Sequence, residues 1–377
     1  ELSLWLITFL HNYIDLIVYV ARKIIYIEPT FFKRRVELVD MCVDLRRQGK
    51  TSLYILPSRE AIWDVRLSLF NKGRGITDWK VITMDELEKD IACEFILENS
   101  ILHSAVARIV LDKICRDLST RLSLFQKIAH KKGFVDDIHE FIRTCKRQNV
   151  APDDLITLID NLDDSILKSK LKDIHTIYSY YENYLKERGN YVIDDIPLVA
   201  YDKVFDSSYL DDIHTIIIDG FIHIDPIDMK IIGRIAHRND IDIYINVPYM
   251  NKTLQQFVDE ELVNSLMDMG FCIDSKMSED LRQKSTIYSL VHNLYTGRVT
   301  DIDHEILTIK RYPCVDSELR ETARDIKDKL INGEKPCNIA VYMDDRDEYG
   351  RVIQSIFKEF QIPIKYGYGY PVSSTAM

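Results

Sequence analysis

Apolar positions along the chain follow two different spacings, and these spacings predict alternating strands and helices. Short, nearly continuous apolar runs bounded by turn residues predict strands. These runs lie at residues 23–27, 51–56 and 79–83. Apolar residues three or four positions apart predict helices between them, at residues 35–48, 61–70 and 84–93. Strands and helices in this order are typical of a parallel sheet with helices on its faces.

The pattern changes over the next hundred or so residues and then returns. Residues 100–203 show helical spacing almost throughout. Two continuous apolar runs follow, at 214–219 and 242–247, and such runs are typical of strands buried on both faces. We therefore predict an α/β domain that is interrupted by a large all-helical insertion. The domain comprises residues 23–96 and 205–300, and the insertion comprises residues 97–204.

A further α/β unit is predicted at residues 301–377. The spacing of apolar residues indicates a helix at 317–332, a strand at 337–343 and a helix at 349–360. One strand cannot form a sheet alone, so this unit is interpreted as the start of a second α/β domain.

The first stretch, residues 1–22, is strongly apolar but is not predicted to cross a membrane. His11, Asn12 and Asp15 interrupt it near its middle, and no clean run of 18 or so apolar residues remains. It also lacks the basic start and the small-residue cleavage site of a signal peptide. We interpret it as a buried or docking helix of unknown role. The chain starts at Glu1 and stops after Met377, which we interpret as an N-terminal fragment of a longer protein.

The net charge and the cysteine pattern argue against two classes of protein, free-standing nucleic-acid binders and proteins with a zinc or iron–sulfur site. The formal charge of −11 argues against a free-standing nucleic-acid binder, although local basic patches within a complex remain compatible with it. The seven cysteines are scattered and form no C-x-x-C pair, so no zinc or iron–sulfur site is predicted. Such usage fits a reducing, cytoplasmic location.

The segment after the first strand stands where a phosphate-binding loop would lie in a nucleotide-binding protein. Such a loop needs G-x-x-x-x-G-K-[ST], whose glycines, lysine and hydroxyl hold phosphates and Mg²⁺. Here the two glycines are replaced by Glu28 and Lys33, the lysine by Arg34 and the hydroxyl residue by Arg35. Two phenylalanines fill the loop between them. The sequence therefore predicts a degenerate loop that does not hold nucleotide.

The strand at 214–219 ends in Asp219-Gly220. A helicase-type ATPase ends this strand in Asp-Glu, with the aspartate supporting Mg²⁺ and the glutamate activating water. Gly220 cannot act as a base. Asp219 alone either caps the following turn or binds a metal weakly. No catalytic residue is predicted.

Basic residues near aromatic ones are candidates for contact with DNA. Arg59 and Arg66 flank Trp63, and such a group could pair with phosphates and stack on bases. The alternative is a solvated helix face or a contact with the rest of the protein. Two further basic groups are weaker candidates. They are Lys33, Arg34, Arg35, Arg46 and Arg47, and Lys131, Lys132, Arg143, Lys146 and Arg147.

Several phrases, in this order, resemble the B subunit of AddAB-type helicase–nucleases, and behind it the superfamily 1 helicases. They are LYILPSREAIWDVRLSLF, WKVITMDELEKDI, KKGFVDDIHEFIRTCKRQNVAPDDL and IIIDGFIHIDPIDMKII. The last looks like a decayed acidic box, in which Asp228 stands where a glutamine is expected. The first two belong to helicase segments that the resemblance associates with a single-stranded DNA track. It therefore adds Ser58 and Thr83 to Arg59, Trp63 and Arg66 as DNA-binding candidates.

The resemblance implies a helicase-like (RecA-like) parallel-sheet domain, interrupted by the helical insertion and followed by a second α/β domain. It implies a non-motor subunit that guides or scans DNA in double-strand break repair and recombination. An A subunit would hydrolyse ATP, and DNA would enter as a single strand or a duplex end. The family uses ATP and Mg²⁺, and an iron–sulfur cluster in a nuclease domain outside this chain; no cofactor is expected here.

Two other functions stay open at this point. The chain could be an ATP-dependent DNA helicase with an aberrant phosphate-binding loop. It could also be a structural or interaction protein without DNA contact.

Overall fold

A computed structural model of the chain describes most of its residues, in two compact units, 1–283 and 284–377. The described residues are 21–28, 31–73, 75, 78–163, 165–238, 240–248, 260–274, 307–343 and 345–364. Apart from Ala21 and Arg22, the helix predicted at residues 1–22 lies outside them. Within the described ranges no helix has the length and apolar character needed to cross a membrane.

The first unit is built on a six-stranded parallel sheet with the order β3-β2-β6-β7-β1-β8. The strands of the unit are β1 (Lys23–Glu28), β2 (Ser52–Leu56), β3 (Lys80–Thr83), β4 (Ile101–Leu102), β5 (Tyr191–Val192), β6 (Thr215–Asp219), β7 (Asp242–Pro248) and β8 (Cys272–Asp274). The five strands of the large sheet that the apolar runs predict are all present. Strand β8 was not predicted.

Helices cover both faces of the sheet. Those of the first unit are α1 (Phe31–Arg47), α2 (Arg59–Lys72), α3 (Met84–Ala92), α4 (Ser104–Leu118), α5 (Lys132–Arg147), α6 (Pro152–Asp160), α7 (Ser165–Glu187), α8 (Ile196–Lys203), α9 (Pro226–Ala236) and α10 (Glu260–Asp268). Helices α1 and α2 form one core with the sheet. Helices α3, α8, α9 and α10 contribute to the core on the other face. Because all five residues of β6 are buried, its sequence is apolar without alternation.

The helical insertion has its own hydrophobic core, and its two ends lie close together. Helices α4, α5, α6 and α7 enclose this core, which includes Leu111, Ile138 and Ile177. The short strands β4 and β5 pair in parallel near the two ends of the insertion. The structure is therefore an α/β fold with a helical insertion, consistent with a helicase-like sheet; the limits predicted for the domains stay a prediction.

The second unit contains α11 (Val315–Ile331) and α12 (Arg346–Glu359). The two helices pack around Leu319, Ala323 and Ile353. The strand predicted at 337–343 is wrong: residues 336–338 form a 3-10 turn, and residues 339–343 form no strand. A strand is defined by hydrogen bonds to a neighbour, and no described residue of this unit pairs with them.

The segment predicted as a loop after β1 is also different. Helix α1 begins at Phe31, so Phe31–Arg35 form helical turns and not a wide loop. Their side chains include good helix formers, lysine and arginine, and the segment has no glycine that would favour a phosphate-binding turn. As a result, Arg35 projects from a helix at the edge of the sheet.

Candidate nucleotide site and nucleic-acid interface

The carboxyl ends of parallel strands meet at one edge of the sheet, and this edge is where a nucleotide would bind. Asp219 ends β6, which lies between β2 and β7. Helix α1, which carries Arg35, follows β1 at the same edge. The fold thus brings together two residues that are 184 positions apart in the sequence.

Asp219 is fully buried and is surrounded by hydrogen-bond donors. Arg35 Nε donates to Asp219 Oδ2 at 2.6 Å. The hydroxyl of Tyr54 donates to the same oxygen at 2.8 Å, and Asn246 Nδ2 donates to Oδ1 at 2.8 Å. A buried carboxylate is tolerated when a cation and further donors compensate its lost hydration. Both oxygens of Asp219 are therefore engaged by protein groups.

The pKa values of its partners fit a carboxylate held by permanent donors. Burial lowers the pKa of Arg35, but the charge and hydrogen bond of Asp219 outweigh this and raise it above its usual value. Burial, followed by the charge of Asp219, raises the pKa of Tyr54 well above its usual value. The guanidinium of Arg35 therefore stays charged and the phenol of Tyr54 stays protonated near neutral pH.

These residues do not fit a nucleotide with its Mg²⁺. Magnesium prefers oxygen ligands and near-octahedral geometry. Here Arg35, the residue at the position of the P-loop hydroxyl, places a cationic nitrogen against the carboxylate that would face the metal. The positive charge that faces this carboxylate is therefore the guanidinium of Arg35.

Gly220 is required by the same network. Its φ of +89° lies in the left-handed region, which disfavours any residue with a Cβ. A Cβ at this position would lie 3.1 Å from Arg35 Nη2 and 3.4 Å from Pro57 Cδ. A glutamate at this position would therefore have a strained backbone and a crowded Cβ.

The other residues predicted to form a degenerate loop and acidic box lie in different surroundings. Arg34 stacks over the Tyr26 ring at 4.2 Å, and its Nη1 lies 2.6 Å from Glu37 Oε2. Asp228 lies in the first turn of α9. Its carboxyl is hydrogen-bonded to Glu88, so it belongs to a separate acidic pair. The side chains of Glu28 and Lys33 lie outside the described part of the chain.

Two of the DNA-binding candidates cap helices. Ser58 Oγ accepts a hydrogen bond from Ala61 N at 3.3 Å, at the start of α2. Thr83 forms a capping box with Glu86 at the start of α3, with distances of 3.2 and 3.1 Å. Both residues lie at the carboxyl edge of the sheet and have a local structural role there.

The remaining three candidates lie on α2 and differ in exposure. The side chain of Arg59 is 81% exposed and lies 3.6 Å from Glu86, and Trp63 is 70% exposed. Arg66 Nη2 instead donates to the carbonyl of Val81 at 2.8 Å. Arg59 and Trp63 are thus presented to solvent, whereas the guanidinium of Arg66 fixes α2 to β3.

Sequence reasoning missed two further exposed residues on α2. Leu67 and Phe70 are 61% and 45% exposed, and with Trp63 they form an outer stripe at helical spacing. The inner face of the same helix is formed by Ile62, Val65 and Leu69. A helix with one apolar face against the core and another exposed to solvent indicates a second contact surface. The spacing of Trp63, Leu67 and Phe70 in the sequence could have shown this second face.

The other basic groups are mostly paired with acids. Arg46 and Arg47 pair with Asp78 and Asp44 at 3.1 and 2.9 Å. In the insertion, Lys146 is buried between Glu182, at 2.9 Å, and Asp195. Its neighbours Arg143 and Arg147 pair with Asp194 at 3.2 Å and Asp225 at 2.9 Å. Arg143 and Lys146 thus pair with acids within the insertion. Arg147 pairs with an acid of the sheet domain.

The chain matches a known protein family and is similar to several curated proteins. The family model described as "ADDB, N-terminal" matches residues 40–266, more than half of the chain. Among curated proteins, the B subunit of the ATP-dependent helicase/deoxyribonuclease of Listeria innocua is 25% identical over 85% of this chain and 29% of its own length. Proteins with the same name from Acetivibrio thermocellus and Clostridioides difficile are each 27% identical over 70% of this chain and 24% of their own.

The chain spans less than a third of the length of these relatives. The matched residues include Asp219 and its partners Tyr54 and Asn246, and they cover most of the parallel sheet together with the helical insertion. The order of elements, the helical insertion and the family match agree, and the chain belongs to the AddB N-terminal family.

Proposed function

We propose that this chain is the N-terminal part of a non-motor B subunit in a cytoplasmic helicase–nuclease complex. In this proposal a partner A subunit hydrolyses ATP, and the present chain guides or scans a single strand or duplex end during double-strand break repair and recombination. The names of its relatives support a subunit of a helicase–nuclease.

The contact between Arg35 and Asp219 carries the non-motor part of the proposal. A motor needs Mg²⁺ next to this carboxylate and a base after it. The carboxylate is instead engaged by Arg35 at 2.6 Å, and the residue after it is Gly220, where a Cβ would be crowded by Arg35 and Pro57. This argues against the alternative of an ATP-dependent helicase with an aberrant loop.

The outer face of α2 supports the DNA-guiding part. Trp63 offers an exposed ring on which a base can stack, and Arg59 offers a nearby cation for a phosphate. A second candidate, protein docking without DNA contact, is favoured by the exposure of Leu67 and Phe70 beside them. The two functions differ in their dependence on salt and on Arg59.

The DNA test is equilibrium binding of labelled single-stranded and duplex-end DNA at several salt concentrations. We expect affinity to fall with salt, and Trp63→Ala to cost about 1–3 kcal/mol, as for other stacking residues. Arg59→Gln should weaken binding and reduce the salt slope. Arg108→Gln, another exposed arginine 3.6 Å from its acid, is the matched control. Equal binding by all variants would favour protein docking.

The nucleotide test is binding of a fluorescent ATP analogue with Mg²⁺ to the same chain. We expect no saturable binding. Magnesium-dependent binding that disappears in Asp219→Asn would contradict the non-motor proposal and support the aberrant helicase.

A further inference from the structure

A buried glutamate on α3 and a half-buried aspartate on α9 interact with each other, away from the Asp219 network. Glu88 lies on α3 and is 3% exposed, and Asp228 lies in the first turn of α9. The two carboxyl groups are hydrogen-bonded to each other. The Oε1 atom of Glu88 is buried and has no hydrogen-bond partner among the described residues. In contrast, both oxygens of Asp219 accept hydrogen bonds from protein donors.

Two adjacent carboxylates repel each other in a buried site, so such a pair keeps a proton. Burial, with the hydrogen bond and charge of Asp228, raises the pKa of Glu88 to about 10. Burial also raises the pKa of Asp228. At neutral pH Glu88 is thus protonated and donates to the Asp228 carboxylate, and the pair carries one negative charge.

The charged groups that face the pair come from three elements. Asp85 lies one turn before Glu88 on α3, and Asp225 caps the start of α9. The cation is Arg147, the last residue of α5 in the helical insertion. Its charge acts on both carboxyls of the pair, and its Nη1 lies 2.9 Å from Asp225 Oδ2.

Two other neighbours complete the surroundings. His223 Nε2 lies 3.6 Å from Asp225 Oδ1, on the exposed side of this turn. Helix α8 packs against both α3 and α9, and its buried residues there are the apolar Ile196 and Ala200. Acids outnumber cations around the pair, so the loss of its proton is not compensated locally.

We propose that the Glu88–Asp228 pair is a proton-dependent joint, which seats the helical insertion on the sheet domain while it holds one proton and loosens it when both acids ionise. The second negative charge would push the first turn of α9 away from α3. That turn carries Asp225, the partner of Arg147, so the contact with the insertion moves with it. This inference stands independently of DNA or nucleotide binding.

The direction of the pH dependence follows from the raised pKa of Glu88. On folding, its pKa rises from the ordinary value of 4.5 to about 10. The stabilising contribution is therefore complete below pH 4.5 and is lost as pH rises toward 10. Within this window one proton is released on unfolding, so the pair changes the unfolding equilibrium by up to about tenfold per pH unit.

The test compares urea unfolding of the parent and Glu88→Gln at pH 6, 7.5 and 9. The amide still donates to Asp228 but has no proton to lose. We expect the unfolding constant of the parent, relative to the variant, to rise by up to about tenfold per pH unit. Glu98→Gln, an exposed acid 3.4 Å from Lys89, is the matched control and should keep the parental pH dependence.

A local measurement tests the seating of the insertion. Hydrogen-exchange protection, corrected for the intrinsic effect of pH, should fall at the end of α5 and the start of α9 as pH rises in the parent, but not in Glu88→Gln. Asp228→Asn keeps Glu88 ionisable but removes the neighbouring charge, so it should reduce the pH dependence without abolishing it. It is the second variant if Glu88→Gln does not fold. An unchanged pH slope in the variants would overturn the proton-dependent pair. A flattened slope without any change at α5 would overturn the joint.

Discussion

Asp219 and Glu88 are both buried acids of the first unit, but their charges are compensated in different ways. Asp219 faces a guanidinium and two neutral donors within 2.8 Å. Glu88 faces a second carboxyl and keeps a proton. A guanidinium stays charged at any ordinary pH, whereas a shared proton depends on pH. The comparison teaches that a buried acid in this unit is compensated either by a fixed cation or by a proton, and that the proton is the compensation that can be lost as pH rises.

The largest effect is expected for Arg35→Ala. The change leaves Asp219 buried without its cation, and the loss of one partner of a buried pair typically costs about 3–5 kcal/mol. The free energy of unfolding from urea titration is the measurement. Arg46→Ala, which breaks an exposed pair with Asp78, should cost no more than about 0.5 kcal/mol. Equal costs for the two variants would show that Arg35 does not compensate Asp219.

A smaller effect is expected for Gly220→Ala. The left-handed backbone alone costs about 1–2 kcal/mol for a residue with a Cβ, and crowding against Arg35 adds to this. Gly49→Ala is the matched control, because Gly49 also has a positive φ but a Cβ there meets nothing within 4 Å. Thermal or urea unfolding should show a larger loss for Gly220→Ala. Equal losses would mean that Arg35 moves away without cost.

The smallest effect is expected for Arg147→Gln. Its pair with Asp225 is partly exposed, so water screens it and we expect a loss of about 0.5–1 kcal/mol that shrinks in high salt. Unfolding at 0.05 and 1 M salt is the measurement. The cost of Arg35→Ala should change much less between the two salt concentrations, because Asp219 is fully buried. A similar salt dependence for both variants would contradict the difference in solvent screening between the Arg147–Asp225 pair and the buried Arg35–Asp219 pair.

The sequence was a good guide where burial leaves a local pattern. Strands β2 and β6 are apolar because both faces of the sheet are covered, and that pattern can be read without knowing their neighbours. Strand β8 was missed because two of its three residues, Cys272 and Ile273, are exposed and leave no apolar run. The strand at 337–343 was predicted wrongly because pairing depends on a partner strand, which local spacing does not reveal.

The candidate site was harder to predict because its contacts join distant parts of the chain. The sequence indicated that the loop had lost its phosphate-binding residues. It could not indicate that Arg35 meets Asp219, 184 positions away. Nor could it separate Arg59, which is exposed, from Arg66, which is bonded to β3. The Glu88–Asp228 pair left no local signal, because its two acids lie on separate helices.

The pairing of β4 with β5 has a consequence for how this architecture can change over evolutionary time. Adjacent strands lie about 4.8 Å apart, and Ile101 pairs with Tyr191 near the start and end of the insertion. Roughly ninety residues thus begin and end close together in space, as is common for inserted modules. A lineage could lengthen, exchange or discard this module without breaking the parallel sheet, and the contacts made by Arg147 would then be the first to change.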